Sequence, residues 1–558
     1  MHRAQRYTKK RRSQWLIMAA VILFIGLSSC ARKDRAREQF VFRYNESSGI
    51  QTLDPAFARN QAIIWATNQI FNGLVELNED LQVVPSLAEQ WTISDDGLQY
   101  RFQLRSEVYF HAHPAFGVGM SDPETLRGRK LVAEDFVYSF RRLVDPETAA
   151  PGAWVLQFMD TLWAESPGIL HIRLKQPFTP FLSLLTMKYC SVIPQEVVEY
   201  GGTEFRNHPV GTGPFYFKFW EENEKLVLRR NPFYFEKEGE VSLPYLEAVS
   251  ISFIPDKQAA FLEFIKGRLD FLSGLDASYK DELLTQDGKL AAVYTDAIEM
   301  RSLPYLNTEY LGILNGNELD EGDPLREIRV RQAINMGFDR VKMMRYLRNN
   351  IGEPATFGMV PSALRAGMAK DYGYTHDPDR ARQLLREVEE SRGSPLPPIK
   401  LLTNASYLDL CEYMQSELRK IGLLLDVEVM PPSTLRQMMA TGKASFFRAS
   451  WIGDYPDPEN YLSLFYSGNK SPGGPNYTRF GDVEVDLWYE TSLAEKDPAR
   501  RDSLYSLIDA RVMEESVVIP LYYDQVLRFY PKGLDGLGVN PMNMLDLRRV
   551  RKAGQDPN

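Results

Sequence analysis

At 558 residues the chain is too long for one core of ordinary size and predicts at least two folding units. Hydrophobic residues make up 44% of it, which excludes an extended disordered polymer, and a formal charge of −9 disfavours nucleic acid and anionic membrane surfaces as partners. Of its three cysteines, Cys190 and Cys411 lie far apart with no CxxC pair or metal spacing and read as buried free thiols; Cys30 belongs to the N-terminus.

The first 29 residues carry six basic side chains (Arg3, Arg6, Lys9, Lys10, Arg11, Arg12) and no acidic one, then an uncharged run from Trp15 to Ser29. That is the pattern of a secretory signal. The run is shorter than the roughly 20 apolar residues that cross a bilayer, so a permanent transmembrane helix is disfavoured. Leu27-Ser28-Ser29-Cys30 is similar to a bacterial lipobox, with Cys30 as the lipidated first residue of the mature chain. Removing the signal lowers the formal charge by six, from −9 to −15. The residues after Arg11-Arg12 fit twin-arginine export poorly, which leaves the general secretory route.

After a polar tether, residues 40–44 alternate as a strand and residues 61–71 read as a helix. Asp95-Asp96-Gly97 is a turn signal ahead of the strand 99–104. In 133–144, Phe136, Val137, Phe140, Leu143 and Val144 fall on one helical stripe that Pro146 ends. Gly211 and Gly213, which allow a sharp turn, precede a hairpin of 215–219 and 225–229; the rest of a phosphate loop is missing. Residues 257–270 read as helix, glycine stop and short strand. Further strands are expected at 310–315, 399–402 and 517–522, and helices from Ile328 and over 379–390.

The stretch 446–460, Phe-Phe-Arg-Ala-Ser-Trp-Ile-Gly-Asp-Tyr-Pro-Asp-Pro-Glu-Asn, carries the most chemistry. Phe446 and Phe447 are read as the end of a strand, and Pro456 and Pro458 prevent regular structure from continuing. Asp454 on such a loop, with Trp451 as an aromatic wall, suits an ammonium group. A structural turn with a solvated Asp and a core Trp is the competing reading.

This stretch resembles the signature of the oligopeptide-binding proteins of ABC importers, within the family 5 extracellular solute-binding proteins. Other segments resemble family motifs in the family's order: 71–76, 85–91, 133–146, 210–215, 310–335 and 517–522. The resemblance implies an α/β, two-lobed type II binding-protein fold with an additional subdomain. It divides the chain into a signal peptide (1–29), a lipid-anchored tether (30–37), lobe I (38–77, 203–303 and 525–558), subdomain II (78–202) and lobe III (304–524). It further implies a monomeric, extracytoplasmic lipoprotein, on the periplasmic side or the cell surface, that captures oligopeptides between lobes and delivers them to permease subunits. Neither cofactor nor metal is implied.

Matched residue by residue, Asp454 falls on the aspartate that receives a peptide's α-ammonium and Trp451 on its aromatic neighbour. Arg448 falls on a basic position that can meet a ligand carboxylate, or it forms an ion pair inside lobe III. Asn72 and Gly73 resemble a hinge-side loop near ligand, and Tyr477, after Asn476, a ligand-facing segment; packing is the alternative for each. The chain departs from the pattern at 110–130, a longer loop in which His111 and His113 read as loop residues rather than metal ligands. It departs again at Ala58-Arg59-Asn60, where some peptide binders carry an acid. A secreted hydrolase is the rival from another class, but GxSxG, HExxH and a Cys/His nucleophile context are missing. Within the same fold a nickel chelate, haem, a sugar or a signalling peptide are the alternative cargoes.

Overall fold

The computed structural model describes residues 40–117, 122–276, 278–315, 318–369 and 372–554. The signal peptide, the tether and Cys30 lie outside the described residues.

One four-stranded sheet runs in the order Val41–Asn45, Ala248–Ser252, Lys225–Arg230, Phe215–Glu221. Its first pair is parallel and the other two are antiparallel. In the first strand Phe42 and Tyr44 turn inward by simple alternation. The Tyr44 ring meets Trp65 edge-on at 6.1 Å, which seats the helix Gln61–Ile70. Asn60 caps that helix by accepting from the Ile63 N–H at 3.1 Å. The chain's far end is tied to the same helix, since Trp65 Nε1 donates to the Asn543 carbonyl at 2.7 Å.

Gly211 and Gly213 serve a different purpose from the one expected. Neither has a positive φ. A Cβ on Gly211 would stand 2.2 Å from the Ile70 carbonyl oxygen, and one on Gly213 2.4 Å from the Ile70 carbonyl carbon. Close backbone approach to the helix end, rather than a turn, requires glycine there.

A second sheet is an antiparallel run of Ala88–Ile93, Gln99–Leu104, Ile169–Leu174 and Met159–Ser166, in that spatial order. The helix Ala133–Val144 buries Phe136, Val137, Phe140 and Leu143. Val144, expected on the same stripe, is 39% exposed because it stands in the last turn before Asp145 ends the helix.

The largest sheet orders Leu272–Ser273, Val518–Pro531, Ile298–Ile313, Phe446–Ile452, Ile399–Thr403 and Leu425–Val429, with Glu353–Pro354 added to the 518–531 strand. Two expectations need correction here. Phe446 and Phe447 begin their strand rather than end it, so Arg448 and Trp451 are strand residues and only the segment after Ile452 is loop. The strand persists because it is paired on both sides, to residues 307–313 and to Leu402. The strands expected at 310–315 and 517–522 are also longer, spanning 16 and 14 residues. They pair antiparallel from Ile298 opposite Pro531 to Gly312 opposite Val518, with register shifts between Pro304 and Thr308 and between Glu309 and Tyr310. Their outer halves adjoin Leu272–Ser273, and their inner halves are packed by the helices of residues 328–421, with Leu311, Ile313, Ile519 and Phe446 in that core.

Cys190 and Cys411 are both buried free thiols. No helix among the described residues is long and apolar enough to cross a membrane.

Candidate functional site

The loop that carries Asp454 is fixed from both ends. As the strand Phe446–Ile452 ends, the Gly453 N–H donates to the Leu306 carbonyl at 2.7 Å, and the Tyr461 hydroxyl donates to the same oxygen at 2.7 Å. Asn460 then gathers the site. Its amide oxygen accepts from Trp451 Nε1 at 2.9 Å and from the Asp454 N–H at 3.1 Å, while its side chain also hydrogen-bonds the Asp454 carboxylate. The indole and the acid are thereby set side by side by one buried amide. Sequence reasoning gave Asn460 no role; its place six residues after Asp454, beyond two prolines, was the only signal.

The other acids of the segment do different work. Glu459 is buried and accepts from the hydroxyls of Tyr455 and Tyr489. Asp457 is buried, accepts from the Tyr505 hydroxyl at 2.9 Å and caps the short helix Glu459–Leu462 through the Glu459 N–H at 3.0 Å. Both moor the loop to the helices Val483–Ala494 and Pro498–Glu515. Burial, only partly offset by its two hydroxyl donors, pushes the Glu459 carboxyl up to about 7.

Asp454 alone of the three is exposed, and it forms no ion pair among the described residues. Crowding by protein nonetheless raises its carboxyl to about 6, with the hydrogen bond from Asn460 pulling the other way. Exposure together with crowding describes a carboxylate in a recess, where many atoms stand near and none caps it. Tyr189 is a neighbour, its hydroxyl within electrostatic reach of both Asp454 and Arg59. Tyr189 sits on the turn Lys188–Cys190, which packs on the turn Pro55–Phe57, and exposed Arg59 follows two residues later. Residues from widely separated parts of the sequence therefore meet at one recess: an unpaired carboxylate, a half-buried indole, a phenol and a guanidinium. Arg59, first weighed only as a departure from a pattern, is part of the group.

The remaining candidates lie elsewhere or are already engaged. Arg448 is 6% exposed; its guanidinium pairs with Glu309 and lies on the Tyr407 ring. Meeting a ligand carboxylate would require breaking that buried pair. Asn72 is buried, donates to the Tyr234 hydroxyl at 3.3 Å and accepts from Thr212 at 3.0 Å. Its neighbour Gly73 packs against the carbonyls of Leu185 and Cys190. These contacts join the chain turns around 72, 190 and 212. Tyr477 is half-buried against the core, and Asn476 organises its own loop by donating to the carbonyls of Tyr466 and Phe480.

His111 and His113 are both occupied locally. His111 Nε2 bonds the Gly213 carbonyl at 2.9 Å, and burial lowers its imidazole to about 4. His113 caps the turn Pro114–Phe116 and meets Tyr200 edge-on. A recess of about 1040 Å³ lined in part by Glu134, Tyr138, Arg141 and Gln195 contains none of the Asp454 group. Arg142 on its wall already pairs with Asp54 at 2.6 Å.

The sheets, with the two long strands paired inside the largest of them, build a two-lobed binding-protein fold. The fold is the type II periplasmic-binding-protein fold: HbpA2 from Haemophilus parasuis superposes with a TM-score of 0.77 at 22% identity over 92% of this chain and 99% of that one. The unliganded open form of the periplasmic murein tripeptide binding protein MppA gives 0.74 at 24% over 92% and 98%. Residues 82–473 match the profile of the bacterial extracellular solute-binding proteins, family 5. The chain belongs to that family, whose members are solute-binding proteins. Among curated relatives, a probable di/tripeptide-binding protein 5 of Pseudomonas aeruginosa is 28% identical over 506 residues, 86% of this chain and 89% of the relative.

Proposed function

We propose that the protein is an extracytoplasmic receptor that binds short peptides by their free amino terminus at Asp454 and delivers them to an ABC permease. The observation that carries this reading is Asp454 itself: a carboxylate without a cationic partner among the described residues, oriented by Asn460 beside an indole, in a recess. Building such a group costs stability and is offset only when a cation arrives. Tyr189 and Arg59 belong to the same group, so a ligand that touches them and Asp454 together favours the closed arrangement of lobes over the open one. The di/tripeptide-binding relative supports a short peptide as cargo.

In this reading lobe I comprises residues 38–77, 203–303 and 525–558, subdomain II residues 78–202 and lobe III residues 304–524. The paired strands Ile298–Ile313 and Val518–Pro531 cross that boundary, and the register shift between Pro304 and Thr308 marks the hinge. Cys30 carries the lipid that keeps the mature chain at the membrane, and no bond is made or broken in the ligand.

The test is titration calorimetry with trialanine and N-acetyl-trialanine, combined with chromatography of the peptide after incubation. Saturable binding of trialanine, recovered intact, and loss of binding on acetylation are expected. Equal affinity for the acetylated peptide would remove the ammonium anchor, and time-dependent cleavage would replace the receptor with a hydrolase. Acyl incorporation lost in Cys30→Ser tests the anchor separately.

A further inference from the structure

A second carboxylate without a direct ion pair among the described residues, Asp524, lies where the two long strands meet the Asp454 loop. Asn307 Nδ2 donates to Glu309 Oε1 at 3.1 Å and to Asp524 Oδ2 at 3.2 Å. Glu309 pairs with Arg448, and Arg348 with Asp409 at 3.1 Å; both guanidiniums also lie within electrostatic reach of Asp524, though neither comes within ion-pair distance of it. Asp524 has no ion-pair partner among the described residues; its one other hydrogen bond comes from the neighbouring Gln525 N–H at 2.8 Å. The cluster is also short of a donor. Asn307 is 4% exposed, yet its Oδ1 has no hydrogen-bond partner among the described residues. Buried polar atoms of this kind are normally satisfied, and each exception asks for a cause.

Position supplies the cause. The irregular register between Pro304 and Thr308 frees Asn307 from pairing with the 518–531 strand, while on its other side it lies opposite Ile452, two residues before Asp454. Asp524 is half-buried rather than closed off, and Tyr305 lies within electrostatic reach of it. Tyr461 in turn lies within reach of both Tyr305 and Asp454, so the two carboxylates flank one pair of tyrosines. A positively charged N–H donor satisfies the Asp524 charge and the Asn307 oxygen at once, whereas water satisfies only the hydrogen bond.

We propose that Asp524 and Asn307 form a cation-accepting subsite beside the Asp454 anchor, which takes a protonated side chain of the peptide and selects ligands with a basic residue at the first or second position. The inference rests on the peptide reading above.

Its test is calorimetry on the intact chain with Lys-Ala-Ala, Ala-Lys-Ala and their norleucine counterparts, which keep lysine's four side-chain carbons and lack its ammonium group. In the parent, one of the lysyl peptides is expected to bind about tenfold or more tightly than its counterpart, the scale of one added charge-assisted contact. Asp524→Asn is expected to bring that pair of affinities together, and Asn307→Ser to narrow the gap. Asp454→Asn is expected to weaken every peptide. Equal affinity in the parent for lysyl and norleucyl peptides overturns the subsite and leaves the amino-terminal anchor standing. So does a preference that survives Asp524→Asn, or one that Asn307→Ser leaves undiminished should Asp524→Asn fail to fold. Binding of none of the peptides by the parent removes the peptide reading itself, and the subsite with it.

Discussion

Replacing Asp454 with Asn changes charge and almost nothing else, because an amide oxygen still accepts from Asn460 while the negative charge disappears. Truncating one partner of a buried charge pair costs about 2–5 kcal/mol of binding. Asp454 is open to water in the free protein, so part of the charge is already hydrated and the lower end applies: about 2 kcal/mol, or roughly 30-fold in affinity. The pH dependence carries an independent sign. The free carboxyl titrates at about 6, raised from 3.8 by crowding, and an ammonium group binds its ionised form. Affinity is therefore full above that value and lost as pH falls through it, by at most about tenfold between pH 7 and pH 5. The stability of the unliganded protein moves the other way for the same group. A carboxyl raised in the folded state favours folding as pH falls from about 6 toward 3.8. Calorimetric titration of trialanine at pH 5, 6, 7 and 8, beside thermal melts of the free protein, reads both trends. An Asp454→Asn variant that binds as tightly as the parent, or keeps the parent's pH profile, refutes the reasoning.

Arg59→Ser is expected to weaken peptides with a free carboxyl terminus by about tenfold and to spare their C-terminal amides, because only the acid has a charge to meet the guanidinium; calorimetry with the paired peptides decides. Glu459→Gln isolates the raised carboxyl that moors the loop. Folding stability tied to Glu459 is present below 4.5 and lost as pH rises through about 7. In urea unfolding at pH 5 and pH 8 the parent should lose on the order of 2–3 kcal/mol more than Glu459→Gln over that interval, and equal losses would contradict it. Asp509→Asn breaks a pair whose partner, Arg365, is as fully buried as itself and also donates to the Val360 carbonyl at 3.1 Å. About 3–5 kcal/mol of folding stability should go with it, visible as a lower denaturant midpoint, and an unmoved midpoint would contradict that estimate.

Local chemistry made much of this chain legible. The helices at Gln61, Ala133 and Pro378 are written in apolar period and capping residues, and Asp95-Asp96-Gly97 marks its turn, with Gly97 at φ +73°. The signature segment singled out Asp454 and Trp451, which the structure does bring together. What the other two acids of the segment do was not legible there, because the hydroxyls of Tyr455, Tyr489 and Tyr505 that engage Glu459 and Asp457 come together only in the fold.

What sequence alone determined was the local alternation of strand and helix patterns and the one segment suited to a charged ligand; the α/β two-lobed fold followed from the family resemblance those motifs carry. Tertiary structure decided which charges remain unspent. Arg448 reads equally as a ligand contact or as an ion pair until Glu309 arrives from another strand, and Arg59 reads as a departure from the family pattern until the Lys188–Cys190 turn brings Tyr189 within electrostatic reach of it. Neutralisation depends on neighbours more than a hundred residues away, and Coulomb energy follows distance in space rather than position along the chain.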